Sequence, residues 1–126
     1  MFSISNRTKG KLLTSRTQLE RIKKSIVGRS YELSVAFVGP AEIKRLNRIY
    51  RGQNEVTDIL SFPLHGKSGE IIFCASEAKR QAGSFSRTPR NFMLFLLIHG
   101  LLHLKGYRHG GTMERQEIKF RKQFGI

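Results

Sequence analysis

One cysteine, Cys74, is all that the chain offers to a disulfide, so neither an internal bridge nor a disulfide-linked partner is expected. This fits a reducing cytoplasm. Cys74 follows Ile72 and Phe73 and reads as a small core residue at a strand end, with nothing nearby in sequence to make it a reactive thiol. Acidic residues are scarce as well: nine Asp and Glu face 23 Lys and Arg, a formal net charge of +14. An excess of that size, spread along the chain, attracts polyanions, so nucleic acid or an anionic membrane surface is the expected partner class. A long apolar run is also missing. The longest uncharged apolar stretch, Asn91 to Leu104, falls short of the ~20 residues that a membrane span needs and contains two histidines. The opening Met1-Phe2-Ser3-Ile4 lacks the apolar run of a signal peptide. The expectation is a soluble cytoplasmic protein with no membrane partner. At 126 residues and 39% hydrophobic content, the chain can bury one core and is read as a single domain, 1–126.

Read along its length, the chain alternates helical and extended patterns. Phe2 and Ile4 suggest a short edge strand. Leu12, Leu13, Leu19, Ile22 and Ile26 recur at helical spacing among basic residues, a helix that closes near Gly28. Glu32 to Val38 reads as a strand bounded by Gly39-Pro40. Pro40 suits the first position of a helix running to about Arg51. After the turn-like segment Gly52 to Asp58 comes a short strand, Ile59 to Phe62, stopped by Pro63. Glu70 to Cys74 is its hairpin partner or neighbour, and His65 lies at the surface in the loop between them. Ser76 is placed to cap a helix from Glu77 to about Ala82, and Gly83 to Arg90 reads as loop. Pro89 precedes the most apolar segment, Phe92 to Leu104, whose apolar residues cover nearly every angle; it should be the buried central helix, ended by Gly106. A charged last helix spans about Thr112 to Phe124, with Met113, Phe120 and Phe124 inward. Helices mixed with three or four strands make an α+β or α/β domain.

The chemistry concentrates in HGLLHLKGYRH, from His99 to His109. His99 and His103, four residues apart on a helix, project from one face one turn apart. Gly106 lets the chain turn sharply and bring His109 back to them. Three imidazoles in that arrangement point to a metal site, and the absence of a fourth protein ligand leaves a coordination position open, as in catalytic zinc centres. Zinc is the first choice from ligand type, although imidazole also suits nickel, copper and iron. The spacing matches the metalloprotease pattern H-E-x-x-H-x-x-G-x-x-H in its three His and its Gly, but the position of the general base is Gly100. Peptidase chemistry would lack its base.

Two further segments, RGQNEVTDILSFP from Arg51 to Pro63 and GEI from Gly69 to Ile71, precede the histidine motif. In this order the three resemble the YbeY family of bacterial endoribonucleases, from about Glu32 to the C-terminus. The resemblance implies an α+β fold: a small mixed sheet with helices packed on it, and a metal site at the end of the buried central helix. It implies that His99, His103 and His109 hold one divalent metal, zinc by preference. It implies action on single-stranded RNA in maturation of the 3′ end of small-subunit (16S) ribosomal RNA and in ribosome quality control. The partners would then be ribosomal RNA and the ribosome or its small subunit with assembly factors. It also maps a family arginine onto Arg51, in a cleft beside the metal.

Arg51 stays protonated at any relevant pH, so it is no general base, but it can clamp a phosphate and stabilise charge growing on it. Thr57, Asp58 and Ser61 are open to two readings: Asp58 can orient a ligand histidine or accept a proton, whereas Thr-Asp before a strand is also good turn chemistry. The family's usual GYDH is here Gly106-Tyr107-Arg108-His109. Arg108 cannot replace a carboxylate that supports a ligand or moves protons; Glu70, Glu114 or Glu117 could fill that role, and Arg108 could add a phosphate contact instead. The function expected is a metal-dependent endoribonuclease. Its rival is a non-catalytic RNA- or ribosome-binding assembly factor whose metal only organises the helix end.

Overall fold

In the computed structural model, which describes residues 1–126, β1 (Phe2–Asn6), β2 (Glu32–Phe37), β3 (Ile59–Pro63) and β4 (Ser68–Phe73) form one sheet in the order β1-β2-β4-β3. β1, β2 and β4 run parallel, and β3 pairs antiparallel with β4. The edge position expected for Phe2 and Ile4 and the adjacency of the two strands after Asp58 are both found. The inner strands alternate between two buried faces. Leu33, Val35 and Phe37 of β2, with Ile71 and Phe73 of β4, face the main core, while Ala36 and Ile72 face a smaller cluster with Val38, Ile43, Leu60 and Cys74. Strands buried on both faces read as continuous apolar runs, which is what residues 71–74 show.

Five helices surround the sheet: α1 (Arg16–Val27), α2 (Pro40–Arg51), α3 (Ala75–Ala82), α4 (Pro89–Lys105) and α5 (Gly111–Phe124). α1 and α4 carry the main core against one face, and Ile43 of α2 covers the other. α4 is the central element, in contact with α1, α3, α5, β3 and β4. Thr88 caps its start by accepting a hydrogen bond from the Asn91 amide at 3.1 Å, Pro89 opens its first turn, and Gly106 ends it in the left-handed region at φ 111°. Met93, Leu97, Ile98, Leu101 and Leu102 are wholly buried. At about 2 kcal/mol each, those five side chains contribute roughly 10 kcal/mol of burial before entropy is counted. The helix is thus anchored by apolar contact, independently of any ion at its end.

Several boundaries differ from those read off the sequence, and two helix starts do so for a local reason. α1 starts only at Arg16, because the Ser15 hydroxyl accepts from the Gln18 amide at 3.1 Å and fixes the start there; Leu12 and Leu13 pack on the core from the segment before it. Ser76 does not cap α3. Cys74 occupies the cap without a side-chain bond, and Ser76 lies inside the first turn, where its hydroxyl meets the Cys74 sulfur at 3.4 Å. Part of the expected loop after Ala82 is a short 3-10 turn, Gly83–Phe85.

Candidate metal centre

His99 and His103 stand one turn apart near the end of α4, and the turn after Gly106 returns His109 to them. One ring nitrogen of each lies within 4.8 Å of the others. The outer nitrogens are tied down. Nδ1 of His99 meets the Glu117 carboxylate from α5, and Nδ1 of His103 faces the Tyr107 carbonyl at 3.2 Å. Both partners are acceptors, so Nδ1 of each ring carries a proton, and in the neutral form each ring turns its Nε2 lone pair inward. The two Nε2 atoms are 3.1 Å apart. Two lone pairs facing each other repel unless a cation lies between them. Nitrogens bound tetrahedrally to one zinc at ~2.05 Å would be about 3.3 Å apart. The donor set therefore fits a divalent ion, with Glu117 as the carboxylate behind a ligand histidine.

Burial, chiefly, and then the neighbouring His99 hold the His103 imidazole below its usual pKa, with His109 and Arg51 acting in the same direction against the Tyr107 carbonyl. The neutral ring is the form that binds a metal.

A cleft of ≈ 440 Å³ opens beside the histidines, walled by Arg51, Thr57, Asp58, Ser61 and Gly100. On the far side, His99 and His109 also border a second hollow of ≈ 360 Å³ with Met113, Glu114 and Glu117. The three imidazoles thus form a ridge between two openings. Arg51 is the last residue of α2, exposed, and Gly52 at φ 69° turns the chain away directly after it. Asn47 is buried one helical turn earlier, and its side-chain amide donates to the Glu55 carbonyl at 3.0 Å. That bond fixes the loop that delivers Thr57 and Asp58. Asp58 is partly buried. Its carboxyl is pushed above the ordinary range first by burial and secondarily by Glu77, while its own amide, the Ile59 amide and the Thr57 hydroxyl pull it down.

Gly100 has a structural reason to lack a side chain. A Cβ there would sit 2.7 Å from the Ser61 hydroxyl and 3.1 Å from Ile59 Cδ1, so α4 approaches β3 only because position 100 is glycine. The glutamate that a peptidase would carry at this place has no room. Alanine's helix preference of about 1 kcal/mol offsets part of the clash, so Gly100→Val is the sharper test. It is expected to destabilise by about 1–3 kcal/mol; an unchanged urea midpoint would show that the contact is not tight.

Of the residues singled out in the sequence, Arg51, Thr57, Asp58, Ser61 and the three histidines come together at one cleft. Arg108 does not join them: it is exposed on the turn and borders neither opening. Among the three glutamates considered as substitutes for the missing aspartate, Glu117 is bonded to a histidine, Glu114 borders the far hollow, and Glu70 lies on the opposite sheet face beside Ser34 and Arg45. His65 is exposed in the β3–β4 loop. Asn47 was legible only as a helix residue; its bond spans eight positions, and only its polarity on an inward face hinted at a role.

An α+β domain with three imidazoles at a helix end, a carboxylate behind one and an arginine across an open cleft belongs to the class of hydrolases with a candidate metal centre. The comparisons narrow the class. The family described as Endoribonuclease YbeY matches residues 3–125. The Endoribonuclease YbeY of Thermotoga maritima is 38% identical, covering 98% of this chain and 84% of its own, and that of Pelotomaculum thermopropionicum is 35% identical over 88% and 80%. A solution structure from Thermotoga maritima superposes with a TM-score of 0.70 at 32% identity, covering 98% of this chain and 89% of that one. The chain belongs to the YbeY family of endoribonucleases. No helix is long and apolar enough to cross a membrane.

Proposed function

We propose that the chain, as one domain over 1–126, is a metal-dependent single-strand endoribonuclease acting in maturation of the 3′ end of 16S ribosomal RNA and in ribosome quality control. The observation that carries this reading is the pair of inward Nε2 lone pairs facing an open cleft, in a chain of an endoribonuclease family. His99, His103 and His109 would hold the ion, zinc by ligand type. The chemistry supplied by a bound divalent ion is Lewis acidity toward a phosphoryl oxygen and acidification of water. Arg51 reaches the cleft from α2 and pairs with the phosphate under attack, where its fork of donors can follow charge onto the oxygens. Asp58, whose carboxyl burial holds above the ordinary range, is the proton-exchanging group of the cleft. Ser61 offers a hydroxyl to the same phosphate. The net charge of +14 gathers RNA with little regard to sequence. The partners under this reading are single-stranded ribosomal RNA and the small subunit with its assembly factors, met in the cytoplasm.

The test is cleavage of a single-stranded RNA spanning the 3′ end of 16S ribosomal RNA by the chain as loaded, stripped by chelator, and reloaded. Stripping is expected to lower cleavage at least about 100-fold and reloading to restore it, since the ion's share of such reactions is several kcal/mol. Protein that binds this RNA but never cuts it with zinc, nickel or manganese would instead be an assembly factor.

A further inference from the structure

Asn91, Phe95, His99 and His103 follow one another at intervals of four, so they form a single ridge along α4. Two residues of α5 with the same spacing meet that ridge. Glu117 bonds His99, and the Arg121 guanidinium lies 5.7 Å from the centre of the Phe95 ring. From the other end, Arg87 lies 4.5 Å from the same ring and donates to the Asn91 side chain. Two cations thus share one aromatic ring, both half-buried. Elsewhere Arg45 pairs with Glu42 and Arg80 with Glu77, but no carboxylate lies within reach of Arg87 or Arg121. The Arg121 Nε is buried with no hydrogen-bond partner. Burial first, and the Arg121 charge second, hold the Arg87 guanidinium below its ordinary pKa. Partly desolvated like charges around one ring are costly, and an anion relieves that cost.

Beside them stands Phe85, 54% exposed, its ring stacked at 4.9 Å on Phe92 beneath it. Ser86, the one non-glycine residue at positive φ (54°), turns the chain so that Phe85 and Arg87 flank a hollow of ≈ 450 Å³. A supported, exposed ring next to unpaired guanidinium groups is the combination that single-strand binders use, the ring stacking a base and the cations meeting the backbone.

We infer that Phe85 and Arg87 form a second RNA subsite, taking a backbone phosphate at the Arg87 guanidinium, in the field of Arg121, and an unstacked base on the Phe85 ring. The choice of RNA as the anion rests on the nuclease reading above. Asn91 is eight residues from His99, about 12 Å along the helix, so a single strand a few nucleotides long spans the distance from the metal cleft to this subsite. A substrate long enough to reach both is held better than one that fills the cleft alone.

The experiment is an anisotropy titration of the full chain with labelled single-stranded RNA of about twenty and about six nucleotides across a salt series. Arg87→Gln should weaken the longer RNA about tenfold and lower the slope of log K against log salt by about 0.7, one phosphate's worth for a single strand. Phe85→Leu should weaken it at least about fivefold with the slope unchanged. The shorter RNA should lose far less in both. Phe85 and Arg87 lie outside the core, and melting curves matching wild type will confirm that the variants fold; Arg121, whose Nε is buried, is left alone. If both variants bind the longer RNA with wild-type affinity and slope, the subsite is overturned, and an acidic protein segment becomes the ligand to try. Cleavage is a separate readout. A wild-type chain that never cuts, yet loses slope in Arg87→Gln, keeps the subsite and sinks the nuclease reading; one that cuts, with Arg87→Gln binding unchanged, does the reverse.

Discussion

Replacing His103 with alanine is expected to remove metal retention and RNA cleavage together while leaving the domain folded. His103 supplies one of the two Nε2 atoms that face each other at 3.1 Å, and its ring is held by the Tyr107 carbonyl at 3.2 Å. Without it, two imidazoles remain, one of them the exposed His109. A divalent ion held by two such ligands and water is readily lost to dialysis. The fold does not depend on this site, because the buried residues of α4 sit in the main core at its centre. The expected signature is therefore differential. In chelator, wild type and variant should melt at similar temperatures. With zinc at about 100 times the wild-type Kd, wild type alone should gain about 2.7 kcal/mol. Metal content after dialysis and two melting curves decide it; a variant that retains one equivalent of metal would remove His103 from the ligand set.

Arg51→Ala is expected to separate metal binding from turnover. Arg51 touches none of the ligand rings through a hydrogen bond, yet it borders the same cleft and its charge is felt at His103. Loss of one donor aimed at developing charge costs about 10²–10³ in rate, with metal content unaltered. Arg51→Lys keeps the charge but not the planar fork, so it should recover only part of that loss. A turnover number in Arg51→Ala within about twofold of wild type would return Arg51 to the role of a solvated helix end, since a true donor is worth far more.

What the sequence disclosed depended on how local the signal was. α4 was legible because Pro89, the unbroken apolar circumference and Gly106 are all consecutive features, and the three histidines fall within the same short stretch. The cleft's other wall was reached through the segment Arg51 to Pro63, which was recognisable as a motif but mute as to what each residue does. The Glu117 contact spans eighteen positions and two helices, and nothing in a single sequence links two such residues. The same holds for Arg87 and Arg121, which nothing in the sequence links before the packing of α5 on α4 sets them over one ring. Ser76 misled because serine is a good cap in general; here the strand runs into the helix through Cys74, and the cap position falls two residues earlier than serine suggests. Arg108 could be placed on the turn from the sequence, but the direction in which the turn presents it could not.

The two walls of the cleft differ in how the chain reaches them. The three histidines lie within eleven residues, and bringing their ends together closes only a short loop, at an entropic cost that grows slowly with length and is small here. The opposite wall, Arg51 to Ser61, meets them only across some forty intervening residues, through the seam where Gly100 lets α4 settle against β3. The histidine cluster thus draws on the end of one helix and the turn after it, whereas the arginine's wall needs the sheet and that helix joined. A variant that pries that seam open is therefore expected to keep its histidines together while losing the wall that faces them.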